Sequence, residues 1–200
     1  MGRKLLILKG SPREAGNSAV LADRVSAGAA DAGWETESVS LQSMDIRACD
    51  GCDLCRDTGE YCVIDDDMQG LYPKLIEAGA LLLASPIYWF TYSAQLKLCI
   101  DRWYGLWSLE HDVFRGKPVG IVLTYADTDL YTSGGINAIH TFESMFRFLN
   151  APIVGMVYGS VSAQGDAAKH PDLLKAAYDL GRRIAECAEE GDRHALLIEP

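Results

Sequence analysis

Short unbroken apolar runs alternate along the chain with stretches whose apolar residues recur every three or four positions. The first run, KLLILK at Lys4–Lys9, predicts a buried strand. NSAVLADRVSAGAADAG follows as a helix, with Asn17 or Ser18 as its cap and Gly33 as its stop. Glu35–Leu41 is strand-like, and Ala80–Ser85, PVGIVLTY and APIVGMVYGS read as further strands. Between them, DMQGLYPKLIEAG reads as a helix entered from Asp66 or Asp67, with Pro73 disturbing its middle. Ser93–Trp107 predicts a helix with Leu96, Ile100, Trp103 and Trp107 on one stripe, and INAIHTFESMFRFLN predicts another. A last helix starts with Pro171 at its first position and runs to about Glu190. Continuously apolar strands separated by helices predict a doubly wound α/β fold, a parallel sheet covered on both faces.

Composition narrows this little. Hydrophobic residues make up 48% and charged residues 23% of the 200 residues, ordinary values for one globular domain. No repeat or linker divides the chain, so residues 1–200 read as a single domain with a cysteine-rich insertion at 45–67. A net charge of −10 argues against a nucleic-acid partner, which needs a basic surface. The start lacks a signal-peptide pattern, and no apolar run approaches the ~20 residues that span a bilayer. The expectation is a cytoplasmic protein without a membrane partner, in which clustered thiols favour metal or redox chemistry over disulfides.

Two predicted loops carry candidate chemistry. The first strand ends in GSPREAGNS, where Gly10 and Gly16 permit tight turning and close approach of the backbone. Ser11, Asn17 and Ser18 supply donors and Arg13 a cation, at a place where the following helix directs its free N–H groups. This suits a phosphate monoester; a polar turn that only caps a helix is the bland alternative. The loop is neither a Walker motif nor G-x-G-x-x-G, so a nucleotide hydrolase lacks support. The third strand runs into SPIYWFTYS, which places Tyr88, Trp89, Phe90 and Tyr92 at the mouth of the sheet. Such a cluster needs a flat covering, either a flavin ring or another subunit, and the two are compatible.

GSPREAGNS, SPIYWFTYSAQLKLCIDRWY and CVIDDDM resemble, in order and spacing, the flavodoxin-like NAD(P)H-dependent FMN reductases. Four clustered cysteines resemble those of the iron–sulfur flavoproteins within that group. The resemblance implies a five-stranded sheet in 2-1-3-4-5 order, non-covalent FMN, NAD(P)H as co-substrate, and a homodimer or homotetramer. It implies that Ser11, Arg13, Asn17 and Ser18, in the loop shaped by Gly16, hold the FMN phosphate. Pro86, Ile87, Tyr88, Trp89 and Phe90 would line the ring and ribityl chain, and TYADTDLYTSGG, starting from Tyr125 after its threonine, would also reach the flavin. The electron acceptor would be a redox partner or a small molecule. The rival reading is a flavodoxin-like carrier or interaction module without turnover and without a cluster.

Cys49, Cys52, Cys55 and Cys62 read C-x2-C-x2-C-x6-C in a polar segment without apolar periodicity. Compact runs of this kind wrap a [4Fe–4S] cluster; structural zinc prefers two separated knuckles, and a redox dithiol needs an activating helix N-terminus. The cluster is the preferred reading. Asp45, Asp50, Asp53, Asp57, Glu60 and Asp65–Asp67 surround the quartet against Arg47 and Arg56, which would lower a reduction potential. Asp65–Asp67 also read as ordinary dipole complements at a helix start. Cys99 and Cys187 read as small core residues, and His111, His140, His170 and His194 as surface or cap residues. Trp89, Phe90, Tyr92, Trp103, Tyr104 and Trp107 exceed what one cofactor rim needs, so part of that surface is expected against a second subunit. There is no G-x-S-x-G elbow, and hydride transfer to a flavin needs no acid–base residue, so none is assigned.

Overall fold

A computed structural model describes residues 3–59, 61–109 and 112–189. Its elements are β1 (Lys4–Lys9), α1 (Asn17–Asp31), β2 (Glu35–Ser40), α2 (Leu54–Asp57), α3 (Met68–Glu77), β3 (Ala80–Tyr88) and β4 (Thr91–Tyr92). These are followed by α4 (Ala94–Leu109), β5 (Val119–Tyr125), α5 (Gly135–Phe148), β6 (Ile153–Ser160) and α6 (Pro171–Glu189). The parallel sheet runs β2-β1-β3-β5-β6, the expected five-strand order, and β4 is an addition that pairs antiparallel with the end of β3. β3 is therefore longer than Ala80–Ser85 suggested, because its last residues turn into a hairpin.

The three inner strands are buried almost throughout, whereas β2 and β6 at the edges are only partly buried. One face of the sheet packs on α3, α4 and α5, with Leu6, Leu81, Leu83, Ile121 and Phe142 in that core. The other face packs on α1 and α6 through Leu5, Ile7, Leu21, Val25, Leu82, Val122 and Ile184. Two-sided burial is why the strands read as apolar runs and not as alternating patterns.

α1 closes as its sequence suggests. Gly33 has φ +84°, its N–H donates to Ala30 O at 2.9 Å, and Trp34 N–H donates to Ala29 O at 3.1 Å. This double bond with a left-handed glycine is a Schellman stop. The start differs. The cap is Gly16, with no side-chain hydrogen bond, and not Asn17 or Ser18. α4 also departs from its expected stripe. Leu96, Cys99, Arg102, Trp103 and Leu106 are buried, while Ile100 and Trp107 are half-buried. No helix among the described residues is long and apolar enough to cross a membrane.

Candidate flavin site and cysteine loop

The loops at the carboxyl ends of β1, β3, β5 and β6 form one surface, with the direction of chain travel reversing between β1 and β3. Open α/β sheets bind ligands at such a switch point. The first N–H groups of α1 open into the loop that leaves β1. The first intrahelical bond runs from Val20 N–H to Gly16 O, the glycine cap has no side chain to accept from the N–H groups before Val20, and the first turn carries no acidic residue. The positive end of the helix is thus left for an outside anion. Ser18 is buried, Arg13 is exposed, and Ser11 Oγ both accepts from Arg13 N–H at 3.1 Å and donates to Arg13 O at 3.0 Å. A Cβ on Gly16 would lie 2.4 Å from Ser11 Oγ, so the tight loop requires glycine. Asn17 points its amide elsewhere: Nδ2 donates to Val161 O and Ala163 O at 3.2 and 2.9 Å, and Oδ1 accepts from Ala167 N–H. It joins the loop after β6 to the loop after β1.

Two buried serines that the sequence did not single out join the next pair of loops. Ser93 Oγ donates to Gly10 O at 2.6 Å, and Ser93 N–H donates to Ser85 Oγ at 2.9 Å. Between them, Trp89 and Phe90 form the two-residue turn of the β3–β4 hairpin, with φ of +44° and +67°. That turn favours Asn-Gly, and bulky residues in it cost about 1–3 kcal/mol each. Trp89 is 91% exposed, and Tyr88 and Phe90 about half as much. Gly134 at the start of α5 lies under Phe90, where a Cβ would approach within 2.4 Å, and Asn137 Nδ2 donates to Phe90 O at 3.2 Å. Tyr125 ends β5 in the same surface; burial, with Tyr158 and Asp129 nearby, raises its hydroxyl above the usual tyrosine value. Pro86 and Ile87 are half-buried beside the hairpin.

Tyr92 and Trp103, expected on the outer aromatic surface, lie in the core instead. Tyr92 stacks on Phe142 and Trp103 on Phe114, at centroid separations of 4.8 and 4.9 Å. Cys99 is fully buried as expected, and burial pushes its thiol up to about 12. Cys187 is only half-buried. His140 and His170 are exposed, while His111, His194, Glu60 and the expected helix end at Glu190 lie outside the described residues.

The cysteine loop sits on the other end of α4. All four thiols are free; Cys49 and Cys52 are exposed, Cys55 and Cys62 half-buried. Positive φ at Gly51, Asp53 and Gly59 coils the chain between them. The donor set and spacing fit a thiolate-bound cluster, although among the described residues no three Cys, His, Asp or Glu side chains converge on one point. The Leu54 N–H favours the Cys52 thiolate, but the neighbouring Asp50 carboxylate outweighs this and raises its thiol. α4 supports the loop closely: a Cβ on Gly105 would lie 1.8 Å from Tyr61 O, and Ser108 Oγ donates to Cys55 O at 3.2 Å.

The acidic run does more than complement a helix dipole. The Asp66 side chain is fully buried and receives both ends of the Arg102 guanidinium, Nη1 to Oδ2 at 2.5 Å and Nη2 to Oδ1 at 3.2 Å. Burial opposes the Asp66 charge, but bonds from Arg102, Arg47 N–H and Met68 N–H outweigh it and hold the carboxyl below its usual range. Asp67 Oδ2 accepts from Asp45 N–H at 2.7 Å. Periodicity could not show this, because Arg102 looks like any polar residue of an amphipathic helix.

Residues 3–166 match the NADPH-dependent FMN reductase family. An iron–sulfur flavoprotein of Methanocaldococcus jannaschii is 32% identical over 190 residues, covering 92% of this chain and 96% of that protein. An iron–sulfur flavoprotein of Archaeoglobus fulgidus is 33% identical over 190 residues, covering 93% and 80%. The solved structure of the Trp repressor binding protein from Bacillus subtilis superposes with a TM-score of 0.67 at 25% identity, over 88% of this chain and 98% of that one. With the family match spanning most of the chain and the switch-point loops in place, this chain belongs to the NADPH-dependent FMN reductase family and is an FMN-dependent oxidoreductase.

Proposed function

We propose that FMN binds at the switch point and is reduced there by NADH or NADPH, for delivery of electrons to a redox partner or a small-molecule acceptor. The observation that carries the placement is the uncapped start of α1, free of acidic residues and set beside the strained aromatic hairpin. Arg13, Ser11, Ser18 and the first N–H groups of α1 would hold the phosphate, with Gly16 letting the loop close and Asn17 bracing it against the loop after β6. Pro86, Ile87, Tyr88, Trp89 and Phe90 would line the ring and ribityl chain, and Tyr125 would face it as a neutral hydroxyl. Bound FMN supplies the hydride- and electron-accepting chemistry, while these side chains bind it, orient it and limit water. Titration with FMN and with riboflavin tests the placement: FMN should bind more tightly, and equal affinities would remove the phosphate assignment. Steady-state NAD(P)H oxidation with an acceptor separates an enzyme from a carrier.

Cys49, Cys52, Cys55 and Cys62 would ligate one [4Fe–4S] cluster, which supplies single-electron transfer. Support comes from the four free thiols in one coiled loop and from the relatives named as iron–sulfur flavoproteins. α4 links the two sites. Ser93 beside the hairpin and Gly105 beneath the loop are separated by about 18 Å of helix at 1.5 Å per residue. Iron and sulfide analysis after anaerobic reconstitution is decisive; iron far below four per chain, unchanged by Cys49→Ser, would leave a plain flavin reductase. The exposed Trp89, Phe90, Tyr104 and Phe148 support a homodimer or homotetramer, which sedimentation would test against a monomer. A cytoplasmic setting, without nucleic-acid or membrane partners, suits reduced thiols and an acidic surface.

A further inference from the structure

The chain enters the cysteine loop at 45–47 and leaves it at 64–67, and one side chain from a different element ties these two legs together. Arg102 Nη1 donates to Arg47 O at 3.0 Å on the entering leg and to Asp66 Oδ2 on the leaving leg. Nη2 donates to Ile64 O at 3.4 Å and to Asp66 Oδ1. Asp66 Oδ2 in turn accepts from Arg47 N–H at 3.0 Å, and Arg47 Nη2 donates to Asp65 O at 2.7 Å. The side chains of Arg102 and Asp66 are both wholly buried.

A buried ion pair is weak evidence for net stability, since desolvation offsets most of the attraction. Its distinctive property here is shape: a planar fork with five donors can hold two backbone legs and a carboxylate at once, which a lysine cannot. Arg102 Nε is also buried and has no partner, so the guanidinium is not simply placed where every donor is satisfied. The Tyr72 hydroxyl, from α3, donates to Arg102 O at 3.0 Å. Gln69 Nε2 holds Cys62 O at 2.6 Å from α3, and Ser108 holds Cys55 O from α4. Two of the four thiols are therefore fixed through their backbone by helices, and the other two are exposed.

We propose that Arg102 is a positioning residue for the cysteine site, closing the neck of the 48–63 loop ahead of any cofactor and holding the leaving leg, two residues after Cys62, against α4. This rests on reading the quartet as a cluster site. With the neck closed, the loop-closure entropy is already spent, and the site presents a half-ordered pair, Cys55 and Cys62, to incoming iron. Cys49 and Cys52 complete the set, each thiol releasing its proton to solvent on ligation.

The test compares wild type, Arg102→Lys and Arg102→Met as flavin-loaded protein without iron, and then after anaerobic reconstitution with ferrous iron and sulfide. Circular dichroism establishes which variants are folded; Arg102→Lys keeps the charge opposite Asp66 and guards against a failure of Arg102→Met to fold. In iron-free protein, proteolytic cleavage within 48–63 should accelerate in Arg102→Lys by about tenfold, equivalent to ~1.4 kcal/mol of local closure. After reconstitution, the same variant should lose iron to a chelator faster and show an altered electron paramagnetic resonance signal on reduction. Cleavage rates equal to wild type in the folded variants overturn the neck closure, whatever their iron content. Altered cleavage in a protein whose wild type takes up no iron supports the closure and overturns the cluster reading instead. Altered cleavage with unchanged iron retention and unchanged signal overturns the role of Arg102 toward the cluster.

Discussion

The switch-point face proposed for the flavin and the cysteine loop are both built from loops, yet they are held in opposite ways. At that face, the strand ends bring the loops together and single bonds between neighbouring loops finish the work: Ser93 to Gly10, Asn17 to the loop after β6, Asn137 to Phe90. The cysteine loop belongs to no strand end. It is an excursion between β2 and α3 that gains its shape from α4, through the Arg102 fork, Gly105 and Ser108. A site made by topology tolerates the loss of one side chain, whereas a site made by an excursion depends on the few that reach across to it.

Breaking the excursion should therefore produce the largest effect. Asp66→Ala leaves the Arg102 charge buried without its partner and should cost about 3–5 kcal/mol in urea unfolding. A loss below about 1 kcal/mol would mean that the pair is solvated in solution. The same pair sets an acid limit. Because the folded Asp66 carboxyl lies below its ordinary value near ~3.9, its contribution is complete above that pH and is lost as pH falls through the lower folded value. Protease sensitivity at 48–63 should rise over that acid range in wild type and rise less steeply in Asp66→Asn, where only other carboxylates of the loop such as Asp50 still titrate.

Gly105→Ala places a methyl against Tyr61 O and must lift the loop from α4, at a cost of about 1–3 kcal/mol. Calorimetry gives the loss, and reconstitution should yield less iron. At the flavin face, Arg13→Ala removes an exposed cation without disturbing any packing. Fold stability should stay within about 0.5 kcal/mol, while FMN affinity falls by about 1–3 kcal/mol. Riboflavin titration of the same variant should match wild type; a parallel loss for both ligands would move the phosphate elsewhere.

The smallest expected change is a gain. Replacing Trp89 and Phe90 by Asn and Gly relaxes a turn that bulky residues occupy under strain but removes the contact between their rings, and the balance should stabilise the fold by about 1 kcal/mol. Flavin affinity should fall at the same time. A more stable protein with unchanged flavin binding would show that the two aromatics serve another purpose.

The apolar runs of β1, β3 and β5 already determined the parallel sheet, because a strand buried on both faces has no room for polar positions. GSPREAGNS and SPIYWF likewise announced two loops of one surface, since residues at the ends of adjacent parallel strands must meet. The sequence also marked the cysteine quartet as something other than core. The tertiary structure decided which end of α1 is bare, that Tyr92 and Trp103 face inward, and that Arg102 is a buried clamp. Local pattern could not reveal these, because the identity of a cap or a buried charge depends on partners far along the chain. Asn17 spends its amide on a loop about 145 residues away, and Arg102 meets Asp66 only because α4 crosses the neck of the cysteine loop.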